Sequence, residues 1–451
     1  MKKFMTMAFA ASALVSGATS AQTLEERVEE LEMSRDLNIF SFSGQLENRV
    51  DVYSSKDKKN TVSTKNTNKN LWATYFKLNM EAKPSDRLSF YGRLAMSKSW
   101  NDFAARGGSS IATDSGSGGR DRAGTKLFVE RAFMNYKITD SLVYTIGRMP
   151  TVDGPPYHFS AGTARSGAYP MLSYGSILDG MALTYGLKTG DAGVLNIRAI
   201  YTPTAFIDKS ADMTDSNSVD SNGRKITNTE NMFSLMLDYE GKATKAYKGL
   251  NLIAQYMTGT LFLDATNEIC YTGSGAGIPD TVCPGISTPS SSLRFDVDTL
   301  IAYAEMNGVG KTGLDLSLTW KKSSVTSSGG LATLGGVFTS NTTETKSDDN
   351  VLLFSTAYNF SSKYRIGYEY IDIGDKAFQL DSTENAIGFY GGAGSKGHHA
   401  FAMTKFSPSL KLILGYMSKK HTKLYTSGLL GAGTDSDVRR TAGYARLIAN
   451  F

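Results

Sequence analysis

The chain has little cysteine, proline, tryptophan or histidine. Its 451 residues hold 2 Cys, 10 Pro, 3 Trp and 4 His. Two cysteines cannot staple a chain of this length, which excludes a disulfide scaffold. No window of 18 consecutive apolar residues occurs, which excludes a membrane-spanning helix. What is abundant is glycine (45), tyrosine (23) and phenylalanine (22), with 20% charged residues, a formal charge of +5 and a mean hydropathy of −0.24. That charge fraction and aromatic load exclude wholesale disorder. Averaged over the chain, these numbers suit a soluble, slightly basic protein of two or three domains, or one large architecture.

The order of the residues changes that picture. Lys2 and Lys3 precede an apolar run from Phe4 to Val15, and Thr19 and Ala21 supply the small residues before a cut ahead of Gln22. Residues 1–21 therefore read as a signal peptide, too short to remain as a membrane span. An exported chain places Cys270 and Cys283 in an oxidising compartment. Joined, they would close a loop of about 14 residues, worth about 3 kcal/mol on the chain-entropy model.

Residues 22–38 hold the one helical pattern. Leu24, Val28 and Leu31 recur at spacings of four and three, with Glu25, Glu26, Glu29, Glu30 and Glu32 around them. Two heptads are marginal alone. The segment is expected either to tether the protein in the periplasm or to trimerise or plug it from below, so that a homotrimer is one expected assembly. Loss of Lys2 and Lys3 lowers the charge from +5 to +3, and the helix, with six acidic and two basic residues, leaves +7 on the remainder.

From residue 39 onward apolar and polar residues alternate. Phe40, Phe42, Leu46, Val50 and Val52 share one face, while Gln45, Glu47, Arg49 and Asp51 share the other. The pattern predicts strands at 39–53, 70–82, 86–98, 125–138, 141–149, 177–188, 193–202, 230–240, 249–262, 296–306, 312–323, 350–360, 363–373, 397–406, 409–419 and 438–451. Links after even-numbered strands are short and links after odd-numbered ones long, including 150–176 and 374–396, all read as polar. That asymmetry marks a transmembrane β-barrel and has no reason to arise in a sandwich. The fold class is thus all-β: residues 39–451 as one antiparallel transmembrane barrel of about 16 strands. Aromatics near the strand ends, Trp72, Tyr185, Tyr239, Trp320, Tyr358, Phe360, Tyr364 and Tyr416 among them, suit interfacial girdles. The closing Phe451 on an alternating strand resembles the C-terminal signal of bacterial outer-membrane barrels.

Side chains that fill eight strands cannot fill sixteen, so a lumen is expected. Charges buried unpaired in an apolar core would be prohibitive, whereas lining water costs little. The expected pore-lining residues are Glu47, Arg49, Asp51, Lys77, Glu81, Arg87, Arg93, Arg131, Arg198, Arg365, Glu369 and Arg446, with Asp238 and Asp315 on the same wet faces.

One stretch is more specific. Val129-Glu130-Arg131-Ala132-Phe133, then Thr145-Ile146-Gly147-Arg148-Met149-Pro150 running on to Asp153-Gly154-Pro155-Pro156, follows the leader and the Leu-Glu-Glu-Arg helix. These motifs resemble a family of uncharacterised Gram-negative outer-membrane proteins defined by a domain of unknown function, across essentially the whole mature chain. More distantly they resemble general porins. The porin resemblance implies that loop 150–176 folds into the barrel and narrows it, with Arg148 on the wall and Asp153 as the nearest loop carboxylate. The chain departs from porins in its helix, its Pro-rich loop start and its few loop acids.

The residues of that loop speak independently. Pro150, Pro155, Pro156 and Pro170 stiffen it, which favours a fixed shape, either in the pore or as an external cap. His158, Arg165 and Tyr169 join Asp153 as constriction-loop candidates. His398-His399 is expected at a rim. The four histidines lack a Gly-framed nucleophile or a donor cluster, so no enzyme, metal or cofactor is expected. Scattered basic residues give nucleic-acid binding no support. The expected function is a channel in the outer membrane of a Gram-negative bacterium, passing small hydrophilic solutes with a weak anion preference, among outer-membrane lipids and lipopolysaccharide. The alternative is a non-conducting structural or adhesin-like barrel.

Overall fold

The computed structural model describes residues 40–57, 69–100, 127–167, 169–173, 177–203, 231–263, 293–326, 346–379, 385, 387–424 and 434–451. The leader 1–21, the helix 22–38 and the Cys270–Cys283 pair lie outside them. The strands are β1 (Phe40–Asp57), β2 (Lys69–Ser85), β3 (Leu88–Ser99), β4 (Phe128–Lys137), β5 (Leu142–Arg148), β6 (Asp179–Lys188), β7 (Gly193–Pro203) and β8 (Asn231–Gly241). Then come β9 (Gly249–Leu263), β10 (Leu293–Asn307), β11 (Leu314–Thr326), β12 (Lys346–Asn359), β13 (Tyr364–Ile373), β14 (Ser395–Ser407), β15 (Leu410–Leu424) and β16 (Thr434–Asn450). Each pairs antiparallel with its sequence neighbours, and β1 pairs with β16, so the sheet closes with no free edge. The sixteen strands match those expected from period-2 alternation. Several, such as β1, β12 and β15, run longer at the long-connection end.

Phe451 extends the β1–β16 seam beyond the Gln45–Asn450 pair. Gly44 N–H donates to the Phe451 carbonyl at 2.7 Å and Phe451 N–H donates back at 3.0 Å. The Phe451 ring lies over Gly44 and stacks on Phe76 with centroids 6.2 Å apart; a Cβ on Gly44 would enter the ring. Glycine here makes room for the aromatic terminus.

Face assignment follows from the register. Phe42, Leu46, Phe233, Leu235, Leu300, Leu318, Leu414 and Leu447 point outward and are exposed, an apolar band for lipid. Trp72, Tyr185, Tyr358, Phe360, Tyr364 and Tyr416 are exposed on the same surface. Toward the long-connection end the band gives way to outward ion pairs: Lys322–Asp348 at 3.5 Å, Lys396–Asp372 at 2.8 Å and Lys420–Asp437 at 3.4 Å. Charges of this kind belong at a headgroup boundary.

The inner face is less uniformly polar than the alternation implied. Val351, Leu353, Ile371, Ile413 and Ile448 of β12, β13, β15 and β16 face the lumen and are buried. They pack with Phe159, Met171 and Leu172 of one inserted segment and Ile387, Phe389, Tyr390 and Ala393 of another. The largest apolar cluster therefore lies inside the barrel along β12–β16, and a second, with Met149, Tyr169, Ile200, Met236, Met257 and Tyr303, lies along β6–β10. The described residues 374–379, 385 and 387–394 of the connection 374–396, read from sequence as a polar external loop, form this second inserted segment. Its apolar residues would be stranded in water if it stood outside.

Replacing Gly44 with Val should displace the Phe451 ring and destabilise the barrel by about 1–3 kcal/mol. The check is the temperature at which the folded form loses its fast mobility on a gel. Gly443→Ala, where a Cβ meets nothing within 4 Å, should leave that temperature unchanged.

Candidate pore constriction

Met149, fully buried, carries the chain inward from the end of β5, its N–H donating to the Leu178 carbonyl at 2.9 Å. The segment that follows crosses the lumen and is tied to the wall on several sides. On the first side, the Asp153 carboxylate lies 3.2 Å from Lys77 Nζ, 3.3 Å from Arg93 Nη1 and 4.0 Å from Arg131 Nη2. Glu130, fully buried, shares two of these cations, at 2.8 Å from Arg93 and 3.7 Å from Arg131. A β-bulge opposite Arg93 and Leu94 lets the consecutive Glu130 and Arg131 both reach the lumen. Three cations thus meet two carboxylates in a nearly dry place, the only arrangement in which such burial is tolerable.

Beyond Asp153, Gly154 packs against the Tyr169 backbone where a Cβ would collide with its carbonyl. A single helical turn, α1 (His158–Ala161), follows inside the barrel, with all four of its residues buried. Its last carbonyls, Ala161 and Gly162, accept hydrogen bonds from Lys411 Nζ of β15 at 2.8 and 3.0 Å, a cation on the electronegative end of the turn. His158 Nε2 lies 3.3 Å from Glu305 Oε1 of β10, a carboxylate that also accepts from Asn307 Nδ2 at 2.6 Å and from the Tyr303 hydroxyl. Phe159 lies under the Arg365 guanidinium at 5.4 Å. Tyr157 accepts from Arg446 Nη2 at 3.4 Å. Arg165 reaches Glu240 at 2.8 Å and Asp238 at 3.6 Å, and Asp238 is also held by Arg198 at 2.7 Å. Tyr169 packs with Met149, Met236 and Met257; burial raises its phenol to about 12 against the opposing pull of Arg198, so it remains a neutral packing group.

The second inserted segment has its own anchors. Lys419 Nζ donates to the Gly388 carbonyl at 2.6 Å and to the Gly391 carbonyl. Lys321 Nζ donates to Gln379 Oε1 at 3.0 Å. The Tyr390 hydroxyl donates to Glu369 Oε2 at 2.5 Å; that same oxygen lies 2.6 Å from His399 Nδ1, whose Nε2 is 2.8 Å from the Tyr444 hydroxyl. Burial and the Glu369 charge hold the Tyr390 phenol well above its ordinary range.

Of the pore-lining residues expected from sequence, Glu47, Arg49, Asp51, Lys77, Glu81, Arg93, Arg131, Arg198, Arg365, Glu369 and Arg446 face inward. Two do not. Arg87 lies in the exposed Asp86-Arg87 turn, because β2 runs on to Ser85 and β3 begins at Leu88. Arg148 lies on the outer face: it is registered with Ala132 and Asp179, pairs with Asp179 at 2.9 Å and donates to the Val129 carbonyl. The inward place beside it belongs to Gly147. Many of the inward charges already have partners, such as Arg446 with Glu47 at 2.6 Å and Arg49 with Asp51 at 2.7 Å. Asp153, His158, Arg165 and Tyr169 are all in the inserted segment, each against the wall contacts given above. His398 and His399 part ways: His398 faces out to the Tyr368 hydroxyl at 2.7 Å, and His399 is buried inside the wall, where a rim position was expected. Adjacent strand residues point to opposite faces, which is the reason. Among the described residues no cluster of His, Cys, Asp and Glu could hold a metal. Glu130, Glu305, Lys321, Lys411 and Lys419 were not among the site residues expected from sequence. The three lysines sit in stretches that read as wet-face polar residues, and their partners are carbonyls and an amide far along the chain.

A closed sixteen-stranded antiparallel barrel with an outward apolar band is a porin-like outer-membrane fold. Residues 65–201 match the model of a family described as a protein of unknown function (DUF3373), a shorter span than the whole mature chain. No curated protein matches the chain. Among solved structures the fold is similar to Pseudomonas putida OprB in its high-pH structure, at 11% identity over 93% of this chain and 96% of that one, with a TM-score of 0.50. Salmonella typhi OmpF in complex with daunomycin matches at 11% identity over 91% and 97%, with a TM-score of 0.47. The E1M, A104W variant of the Rh. blastica porin matches at 12% identity over 91% and 100%, with a TM-score of 0.41.

Asp153→Asn removes the charge that balances Lys77, Arg93 and Arg131 and should destabilise the inserted segment by about 3–5 kcal/mol. Limited proteolysis should then cut within 150–173 at a protease dose that leaves the parent intact, with the barrel body surviving.

Proposed function

We propose that the protein is an outer-membrane channel for passive diffusion of small hydrophilic solutes, narrowed by the segment 150–176 and weakly selective for anions. The observation that carries this reading is the segment's course: it is fastened to β2–β4 through Asp153, to β10 through His158, to β8 through Arg165 and to β15 through Lys411. A loop braced on opposing walls keeps one cross-section, which passive sieving requires. The anion preference is supported by the +7 carried outside the helix and by Lys242, Lys245, Lys248, Lys311, Lys363 and Lys405 at the short-turn end. It is weak because the wall cations are mostly paired with carboxylates. In this reading residues 1–21 are the export signal and 22–38 either a periplasmic tether or a trimerising or plugging helix, with a homotrimer as one expected assembly. Outer-membrane lipids and lipopolysaccharide surround the outward band and its charged border. No catalytic role is assigned.

The second reading is a non-conducting structural or surface-interaction barrel. The packing of Phe159 and Phe389 into one apolar cluster inside the lumen favours it.

Planar-bilayer recording separates the two. A channel gives small ohmic steps and, under a KCl gradient, a reversal potential on the chloride side. Asp153→Asn should raise the unit conductance as the segment loosens, while Arg148→Ala, on the outer face, should leave selectivity unchanged. Bilayers silent at all voltages would eliminate the channel reading.

A further inference from the structure

A cavity of about 750 Å³ opens at the short-turn end of the barrel, beneath the residues that follow α1. Gly162, Thr163 and Ala164 form part of its lining, and the turns leading into β9, β11 and β13, with adjoining strand residues and Met403 and Lys405 of β14, contribute the rest. Five cationic side chains line it: Lys248, Lys311, Lys363, Arg365 and Lys405. A single carboxylate, Asp315, faces them, and it is already engaged. Its Oδ1 accepts from Gly308 N–H at 2.9 Å, and its Oδ2 accepts from Asn359 Nδ2 at 2.8 Å and lies 3.5 Å from Arg365 Nη2. None of the four lysines forms an ion pair with a described residue. Nε and Nη2 of Arg365 are buried without a hydrogen-bond partner, although Asp315 stands within ion-pair range of Nη2.

Cations converging on one concavity repel one another and concentrate anions there, and the volume is that of a small-molecule site. Three strand turns and the end of β14, distant in sequence, would not aim uncompensated lysines at one place by local preference alone. We propose that this vestibule is a binding site for a small multivalent oxyanion, of the phosphate or polycarboxylate type, collected at the inner mouth of the channel. The proposal rests on the channel reading above for its role, though binding itself needs no conduction. Tyr358, Phe360 and Tyr364 on one side of the cavity are exposed toward the membrane, so the phosphate of a phospholipid headgroup offers the same chemistry as a free solute.

The test is calorimetric titration of the purified full-length protein, in lipid-free nonionic detergent at low salt, with inorganic pyrophosphate. Saturable binding is expected, weakened at least tenfold in the Lys363→Gln, Lys405→Gln double variant and unchanged in Lys245→Gln, a lysine of the same rim outside the cavity. Pyrophosphate affinity that survives in mixed micelles containing phosphatidylglycerol assigns the site to free solutes, and displacement by that lipid assigns it to a headgroup; both support an oxyanion site. Absence of binding overturns the proposal, as does an equal loss in Lys245→Gln, which would reduce it to the general charge of the rim. Recording conductance on the same preparation keeps the two readings apart. Steps without pyrophosphate binding sink the site alone, and binding without steps sinks the channel alone.

Discussion

A barrel closed from sixteen strands encloses more space than its wall side chains can fill. Everything distinctive in this molecule answers that constraint. Water can occupy such a space only where the lining is polar, and chain can occupy it only if its own backbone groups find partners. Two segments return into the lumen and meet both conditions. The first brings its own carboxylate, imidazole and guanidinium to waiting counter-charges on the wall. The second is held by lysines that donate to its carbonyls and by a tyrosine that donates to Glu369.

The wall is correspondingly divided. Along β1–β4 and the lower part of β16 it carries Glu47, Arg49, Lys77, Arg93 and Arg446, paired along or across the strands or with the inserted segment. Along β12–β16 it carries aliphatic residues that the inserted segments cover. Lys411 and Lys419 stand inside this apolar half, and both are satisfied by carbonyl oxygens. An ammonium that caps exposed carbonyls fixes a segment's position without needing a carboxylate, and so without adding a second buried charge. Electrostatics thus decides where the segments sit, and apolar packing makes that position durable.

The fold was almost wholly legible in the sequence. Alternation has a period of two wherever one face meets lipid and the other does not, so sixteen strands, their faces and the inequality of their connections could be read residue by residue. The candidate constriction was legible in part. Four prolines within 150–176 and the Arg131–Ala132 and Gly147–Arg148 motifs pointed to the right segment, and Asp153 proved to be its main anchor. The errors share a cause. Arg148 and Arg87 were assigned by motif and by strand boundary, and a one-residue difference in either turns a side chain to the other face or off the strand. The segment 374–394 was missed because its glycines and polar residues resemble any surface loop, while Phe389 and Tyr390 are too few to announce an inserted plug.

Sequence by itself determined the membrane barrel, its strand count and the outward band, because these depend on local alternation and on nothing distant. Tertiary structure decided what fills the interior. Whether a loop turns inward depends on partners hundreds of residues away, as when Lys411 caps α1 or Arg446 reaches Tyr157, and no local period records such a meeting. The same holds for the basic vestibule: its lysines lie in three separate turns and at the end of β14, and become neighbours only when the sheet curves into a barrel.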